Sequence, residues 1–169
     1  MAFPYGIRHH AISDYVNFIK SNDNQMIIKN KKILNQYASL YNHLCDNHIR
    51  KKFSIFGEKS GEILNYKQFL TNILDSEFVI STSGDRDDCY RHYECIGLNA
   101  IPVSNINGGY KDIFEENMVY SNAEEMINMI NSNICNYTYK TPNKDILTIV
   151  YWVCKINKKI HNLLNMNVL

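Results

Sequence analysis

Apolar and polar positions follow two different periodicities along the second half of the chain. Residues 64–76 (LNYKQFLTNILDS) place apolar side chains at the spacing of an amphipathic helix, and residues 77–83 (EFVISTS) form the short apolar run of a buried strand. The same criteria predict a helix over 88–98, a strand over 100–103, helical turns over 110–116, a strand over 117–120, a helix over 121–133 and a long helix over 145–164. Strands that alternate with helices predict βα units. The expected fold class is therefore α/β, a Rossmann-like three-layer domain with a mostly parallel sheet.

The first sixty residues carry weaker patterns. Residues 11–22 (AISDYVNFIKSN) predict a helix, and residues 31–48 predict another because Leu34, Tyr37 and Tyr41 fall on one helical stripe. Residues 51–56 (KKFSIF) alternate in polarity and stop at a glycine, which predicts a strand.

The length of the chain favours a single domain. A sequence of 169 residues can bury its own core, and no Gly/Ser linker or internal repeat divides it. We expect residues 1–169 to form one Rossmann-like domain, with residues 145–169 as a C-terminal helix that packs back on it. Ser121 and Glu124 predict a capping box at the start of the helix over 121–133.

Charge and cysteine content argue against several classes of protein. Lysine and arginine total 18 against 17 aspartates and glutamates, so the chain lacks the basic excess of a non-specific nucleic-acid binder. The five cysteines are odd in number and form no CxxC pair, which favours reduced thiols over a disulfide framework or a zinc site. No apolar run has the length of a signal peptide core or a membrane span, so we expect a cytoplasmic location.

Residues 78–103 concentrate the candidate chemistry. An apolar run ends at Gly84, and a helix follows for which Asp87 or Asp88 can serve as the N-cap. A glycine just beyond a strand lets the backbone turn sharply and approach a ligand, and the N–H groups at the start of the next helix favour a phosphate or diphosphate. Arg91, about one turn inside that helix, offers a planar fork of donors suited to phosphate oxygens.

Glu94 follows Arg91 at a spacing of three residues. From residue 88 to residue 94 a helix rises roughly 9 Å at ~1.5 Å per residue, about the distance from a diphosphate to the ribose of a nucleotide. A carboxylate there can accept from two vicinal hydroxyls, as the ribose-binding acid of dinucleotide folds does. The alternative is that Asp88, Arg91 and Glu94 form only a capped surface helix with an exposed ion pair, worth under ~1 kcal/mol.

The stretch YKQFLTNILDSEFVISTSGDRDDCYRHYECIGLNAIPVSN resembles the donor-binding half of exostosin-like glycosyltransferases and related GT-B enzymes. The whole similarity spans about residues 64–130. Those proteins have a tyrosine, a Ser-x-Phe strand with a turn after it, Asp-x-x-Arg-x-x-Glu, and a small residue before Ile-Pro. The counterparts in this sequence are Tyr66, Ser76, Phe78, the turn at 81–84, Asp88, Arg91, Glu94 and the run from Ala100 to Pro102. The turn lacks the family's proline, Tyr93 replaces a tryptophan, and Asn99 replaces a glycine at a helix end, where asparagine tolerates left-handed backbone.

The resemblance implies a glycosyltransferase, or its donor-binding domain, that transfers a sugar from a UDP-linked nucleotide sugar to a glycan or protein acceptor. It implies that Glu94 holds the ribose hydroxyls, Arg91 binds the diphosphate, and Ser83 and Gly84 contact phosphate beyond the cap at Asp88. Enzymes of this type need no bound metal, because a helix dipole and cationic side chains stabilise the departing nucleoside diphosphate. The acceptor site and the catalytic base would belong to a separate acceptor-binding domain, so no catalytic residue is assigned.

Two other hypotheses remain open on the sequence. A non-catalytic module could bind a nucleotide or a protein partner through the same elements. A flavodoxin-like signalling domain would need an acidic cluster at the ends of its first and third strands, which the sequence does not show. Cys89, near a helix start, has a position that can lower the pKa of a thiol, but no Cys/His/Asn arrangement indicates a nucleophile, and His92 is expected on the surface.

Overall fold

The computed structural model describes residues 12–22, 28–35, 65–82, 89–106 and 108–166. Within these ranges the chain forms six α-helices and four β-strands. In chain order they are α1 Ile12–Asn22, β1 Lys31–Leu34, α2 Tyr66–Leu74, β2 Ser76–Ile80, α3 Tyr90–Gly97, β3 Ile101–Ser104, α4 Lys111–Phe114, β4 Val119–Tyr120, α5 Ala123–Ser132 and α6 Ile149–Met166. Short 3-10 turns occupy Gly108–Tyr110, Glu115–Asn117 and Lys144–Leu147.

The four described strands form one sheet in the order β1-β2-β3-β4, and every neighbouring pair is parallel. Phe78 lies opposite Ile101, and Val103 lies opposite Val119. Strand β3 is buried at every residue, as expected for a parallel strand covered on both faces. The predicted α/β, Rossmann-like fold class is confirmed, and the carboxyl ends of all four strands meet at one edge of the sheet.

Successive side chains of β2 point to opposite faces of the sheet, as in any β-strand. Val79 packs in a cluster with residues of the first three helices, among them Tyr15, Leu70 and Cys95. Phe78 and Ile80 pack in a second cluster with Met126 and Met129 of α5. The helices α1, α2 and α3 therefore cover one face, and α5 covers the other.

Short connections fix the direction of α2 and α3 relative to the sheet. Only Asp75 separates α2 from β2, and residues 98–100 separate α3 from β3. Asn99 in the second connection has φ of 58°, which confirms the left-handed backbone expected there. Both helices thus end at the amino edge of the sheet, where Lys29 Nζ donates to the carbonyl oxygens of Leu74 (2.8 Å) and Leu98 (3.2 Å). Their amino ends point to the carboxyl edge.

The helix predicted over residues 31–48 is wrong at its start, because Lys31–Leu34 is the strand β1. A strand of four residues is too short for an apolar stripe to distinguish it from a helical turn. Pairing with β2 decides the matter, since Ile33 lies opposite Phe78 in a parallel ladder. Residues 36–48 and the strand predicted over 51–56 lie outside the described residues.

The capping box of α5 is shifted by one residue from the prediction. Asn122, and not Ser121, is the N-cap: its side chain accepts from the N–H of Glu125, and the Glu125 carboxylate accepts from the N–H of Asn122. Ser121 and Asn122 are both good capping residues, so the sequence alone does not distinguish the two registers.

The long C-terminal helix begins later than predicted. Lys144–Leu147 forms a 3-10 turn, and Thr148 is extended, with its Oγ1 accepting from the N–H of Tyr151 at the start of α6. The first turns of α6 contact the rest of the domain, for example through Trp152, whose Nε1 donates to the Ile146 carbonyl at 2.8 Å. From residue 156 to residue 165 every side chain is exposed. The division of the chain into a single domain stays a prediction.

Candidate functional site

Buried polar side chains mark the carboxyl edge of the sheet. Asn35 follows β1, Ser81 and Thr82 follow β2, and Ser104 ends β3, and all four are buried. In parallel sheets ligands bind at this edge, where the amino ends of the following helices point toward them. The candidate site is therefore formed by this edge and the amino-terminal turns of α2 and α3.

Glu94 is a buried carboxylate in the second turn of α3, and only 6% of its surface is exposed. Its Oε1 accepts a hydrogen bond of 2.7 Å from the hydroxyl of Tyr66, the first residue of α2. Its main-chain carbonyl accepts from the hydroxyl of Tyr15 on α1 at 3.1 Å. Burial, and then the charge of Glu94, raises the pKa of Tyr15, so that this phenol stays a donor. Three helices thus meet at one acidic residue.

Arg91 lies on the same side of α3 as Glu94, one turn nearer the amino end. Its guanidinium lies over the ring of Phe69 in α2, at 5.5 Å from the ring centroid. Phe69 in turn stacks on Tyr66 with a centroid distance of 6.1 Å. At this distance the guanidinium is attracted to the ring by a cation–π interaction. Arg91 and Glu94 therefore both lie against α2, which the sequence did not predict.

The remaining predicted site residues, Ser83, Gly84 and Asp88, lie outside the described residues. The structure nevertheless corrects the predicted cap at Asp87 or Asp88. The N-cap of α3 is Cys89, which has extended backbone angles and no side-chain hydrogen bond to the helix backbone. A thiol is a weak hydrogen-bond acceptor, so stabilisation of the helix end does not explain why a cysteine occupies the N-cap position.

His92 corrects a second prediction, because it is fully buried and not on the surface. Its Nδ1 lies 2.8 Å from the hydroxyl of Ser81, just beyond the carboxyl end of β2. The edge of its ring packs against Phe114 of α4, with the centroids 5.5 Å apart. The side of α3 that carries His92 faces α4 and the sheet, and not solvent.

Cys89 lies beside this histidine. Its Sγ is 3.7 Å from Nδ1 and 3.6 Å from Nε2 of His92, and 3.8 Å from the hydroxyl of Ser81. Burial by itself raises the pKa of the Cys89 thiol, but His92, Arg91 and the Ser81 hydroxyl together outweigh it and lower the pKa to about 7. The sequence does contain a signal for this arrangement, since a cysteine and a histidine stand three residues apart at a helix start.

A cleft of about 510 Å³ lies between α1 and α2, next to Tyr66. Its volume falls within the range of small-molecule sites. Polar side chains and apolar ones line it together, among them Asp14, Asn17, Phe18, Asn65 and Lys67.

In the described part of the chain no group of three or more His, Cys, Asp or Glu side chains is placed to hold a metal ion. None of the helices in the described ranges combines the length and the apolar character that crossing a membrane requires. No protein-family model matches the chain, and no curated protein sequence matches it.

Proposed function

We propose that this domain binds a nucleotide sugar, UDP-linked, and acts as the donor-binding half of a GT-B type glycosyltransferase. The observation that carries the proposal is Glu94: a carboxylate buried in the second turn of the helix after β2, with one oxygen already oriented by Tyr66. Burying a carboxylate costs free energy, and an apolar residue would fill the same space without that cost. The motif Asp88, Arg91 and Glu94 and the parallel sheet support the same interpretation.

In this proposal Glu94 accepts hydrogen bonds from the two vicinal hydroxyls of the ribose. Tyr66 acts as a positioning residue, because its hydrogen bond fixes the orientation of the Glu94 carboxylate. The remaining lone pairs of that carboxylate then point in a fixed direction, toward the ribose. A nucleoside that lacks one ribose hydroxyl would bind more weakly, since the buried carboxylate would then lose a partner.

Arg91 and the amino end of α3 bind the diphosphate, together with Ser83 and Gly84 beyond β2. The ring of Phe69 attracts the guanidinium at 5.5 Å, and the planar fork of the guanidinium fits the oxygens of a phosphate. In the transfer, the bond between the anomeric carbon and the donor phosphate oxygen breaks, and its electron pair leaves with the nucleoside diphosphate. An acceptor hydroxyl, from a glycan or a protein, forms the new bond and gives its proton to a base. The positive charge of Arg91 stabilises the departing diphosphate without a metal ion.

The acceptor and its base belong, in this proposal, to a separate acceptor-binding domain, and the protein works in the cytoplasm. The alternative function is a module that binds a nucleotide or a protein partner and transfers nothing. The burial of Glu94 favours the nucleotide over the protein partner, because this candidate residue lies between helices and not on an open surface. A transfer assay with donor and added acceptors separates an enzyme from a module.

The binding test uses calorimetry or NMR with UDP, ADP, GDP and UDP-sugars on the full chain. We expect UDP and its sugars to bind, and Glu94→Gln to weaken binding by about tenfold or more, since a hydrogen bond to a charged group is worth about 1.5–3 kcal/mol. The matched control is Glu116→Gln, at an exposed side chain, which should leave the dissociation constant unchanged. Absence of binding for every nucleoside diphosphate, or equal affinity in the two variants, would contradict the proposal.

A further inference from the structure

Three side chains at the carboxyl end of β2 form an arrangement that nucleotide binding does not use. The sulfur of Cys89 lies within 3.7 Å of both ring nitrogens of His92, and the hydroxyl of Ser81 lies 2.8 Å from His92 Nδ1. A nucleophile beside a base that a third group orients is the pattern of an activated nucleophile. The thiol of Cys89 lies against the ring of this buried histidine, at the start of α3.

Position and access distinguish Cys89 from the other described cysteines. Cys95 and Cys135 are buried, and Cys154 is exposed on α6, whereas Cys89 is half-buried at the edge where ligands reach a parallel sheet. It is also the N-cap of α3, where the positive end of the helix dipole favours an anion.

We propose that Cys89 is a nucleophilic thiolate that accepts one RS group from a small-molecule disulfide. The sulfur of Cys89 attacks one sulfur of the disulfide, a new S–S bond forms, and the S–S bond of the reagent breaks. The electron pair of that bond leaves with the second sulfur as a thiolate. The product is a mixed disulfide on Cys89, and the oxidant is the small disulfide itself.

Three groups favour the ionised form of the Cys89 sulfur. The imidazole of His92 and the hydroxyl of Ser81 lie beside it, and the guanidinium of Arg91, two residues along the chain, acts through its positive charge. They lower the pKa of Cys89 to about 7, although burial opposes ionisation. About half of this thiol is then ionised at neutral pH, close to the optimum for attack on a disulfide.

The proposal does not depend on nucleotide binding, because its test needs only the full chain and a neutral aromatic disulfide. The chain is treated with dithiodipyridine over a range of pH, the reaction is quenched, and mass analysis of peptides gives the rate at each cysteine. We expect a midpoint near pH 7 at Cys89. The reference is the same chain unfolded in urea, where a cysteine thiol has the ordinary midpoint of about 8.5.

His92→Gln should move the midpoint of Cys89 to about 8.5 or above. The rate at pH 7 should fall by only about threefold, since the loss of thiolate, about fifteenfold, is offset about fivefold by the higher nucleophilicity of a more basic thiolate. The midpoint, and not the rate, is therefore the diagnostic quantity. A Cys89 that stays unmodified in the folded wild-type chain, or one whose midpoint in the folded chain equals that in the unfolded chain, would overturn the proposal. Neither outcome depends on a variant that could fail to fold. Ser81→Ala, which removes one smaller contribution, should raise the midpoint by less than His92→Gln does.

Discussion

The hydrogen bond between Tyr66 and Glu94 gives the sharpest test of the site. Tyr66→Phe removes the phenolic hydroxyl that donates to Oε1 at 2.7 Å and keeps the ring that stacks on Phe69. Because Glu94 is only 6% exposed, water cannot fully replace the lost donor. A hydrogen bond to a charged group is worth about 1.5–3 kcal/mol, so we expect the free energy of unfolding to fall by about 2 kcal/mol.

The assay is urea unfolding, in which the shift of the midpoint at constant m-value gives the change in free energy. The matched control is Tyr137→Phe, where the same hydroxyl is removed from a tyrosine that is 42% exposed. That change should stay within about 0.5 kcal/mol, as surface substitutions do.

A second background makes the test specific for the carboxylate. In a Glu94→Gln chain the amide oxygen still accepts from Tyr66, but a neutral hydrogen bond is about half as strong as a charge-assisted one. Tyr66→Phe should then cost about 1 kcal/mol instead of about 2. Equal costs in both backgrounds, or a cost no larger than that of Tyr137→Phe, would refute the view that Tyr66 holds a buried charge.

Two further predictions concern the surroundings of the site. Gly97→Ala should destabilise the fold by about 1–3 kcal/mol despite the better helix propensity of alanine, because its Cβ would overlap the hydroxyl of the buried Tyr15 and lie 3.0 Å from Tyr15 Cζ. Adding Tyr15→Phe should recover part of this loss. A Gly97→Ala chain more stable than wild type in urea unfolding would contradict the prediction. The second is a pH dependence: the pKa of Cys89 is about 7 in the folded chain, and that of an ordinary thiol is about 8.5. The unfolded chain therefore binds more protons between these values, so the free energy of unfolding rises with pH across this window, and the gain is lost as pH falls through 7. Cys89→Ser should remove the contribution of Cys89, which dominates between pH 7 and 8, since Lys29, whose pKa burial lowers to about 8, adds a rise of its own at higher pH. An unchanged slope between pH 7 and 8 in urea unfolding would show that the fold does not stabilise the thiolate.

Local pattern predicted much of the architecture. The apolar run before Gly84 corresponds to β2, and the amphipathic stretch that precedes this run in the chain corresponds to α2. The alternation of strands and helices that continues to β4 and α5 predicts a parallel sheet. The errors fall where the local signal is short or ambiguous. A strand of four residues at Lys31–Leu34 satisfies a helical stripe equally well, and adjacent Ser121 and Asn122 offer two registers for one cap.

The site was predictable only in part. The three-residue spacing places Arg91 and Glu94 on one side of a helix, but a spacing cannot say what that side contacts. The structure brings both against α2, through Phe69 and Tyr66. It also turns the opposite side of the helix, with His92, toward Phe114 and Ser81, where the sequence favoured solvent.

By itself the sequence determined the βα alternation and the position of the acidic and basic residues on the helix after β2, since periodicity and hydrogen-bond spacing act between near neighbours in the chain. Only the tertiary structure decided that Tyr66, 28 residues away, orients Glu94, and that Ser81, 11 residues away, orients the histidine beside Cys89. These contacts arise because packing helices onto a sheet removes selected faces from water. Which faces are removed depends on every element in the layer, and no single segment encodes it.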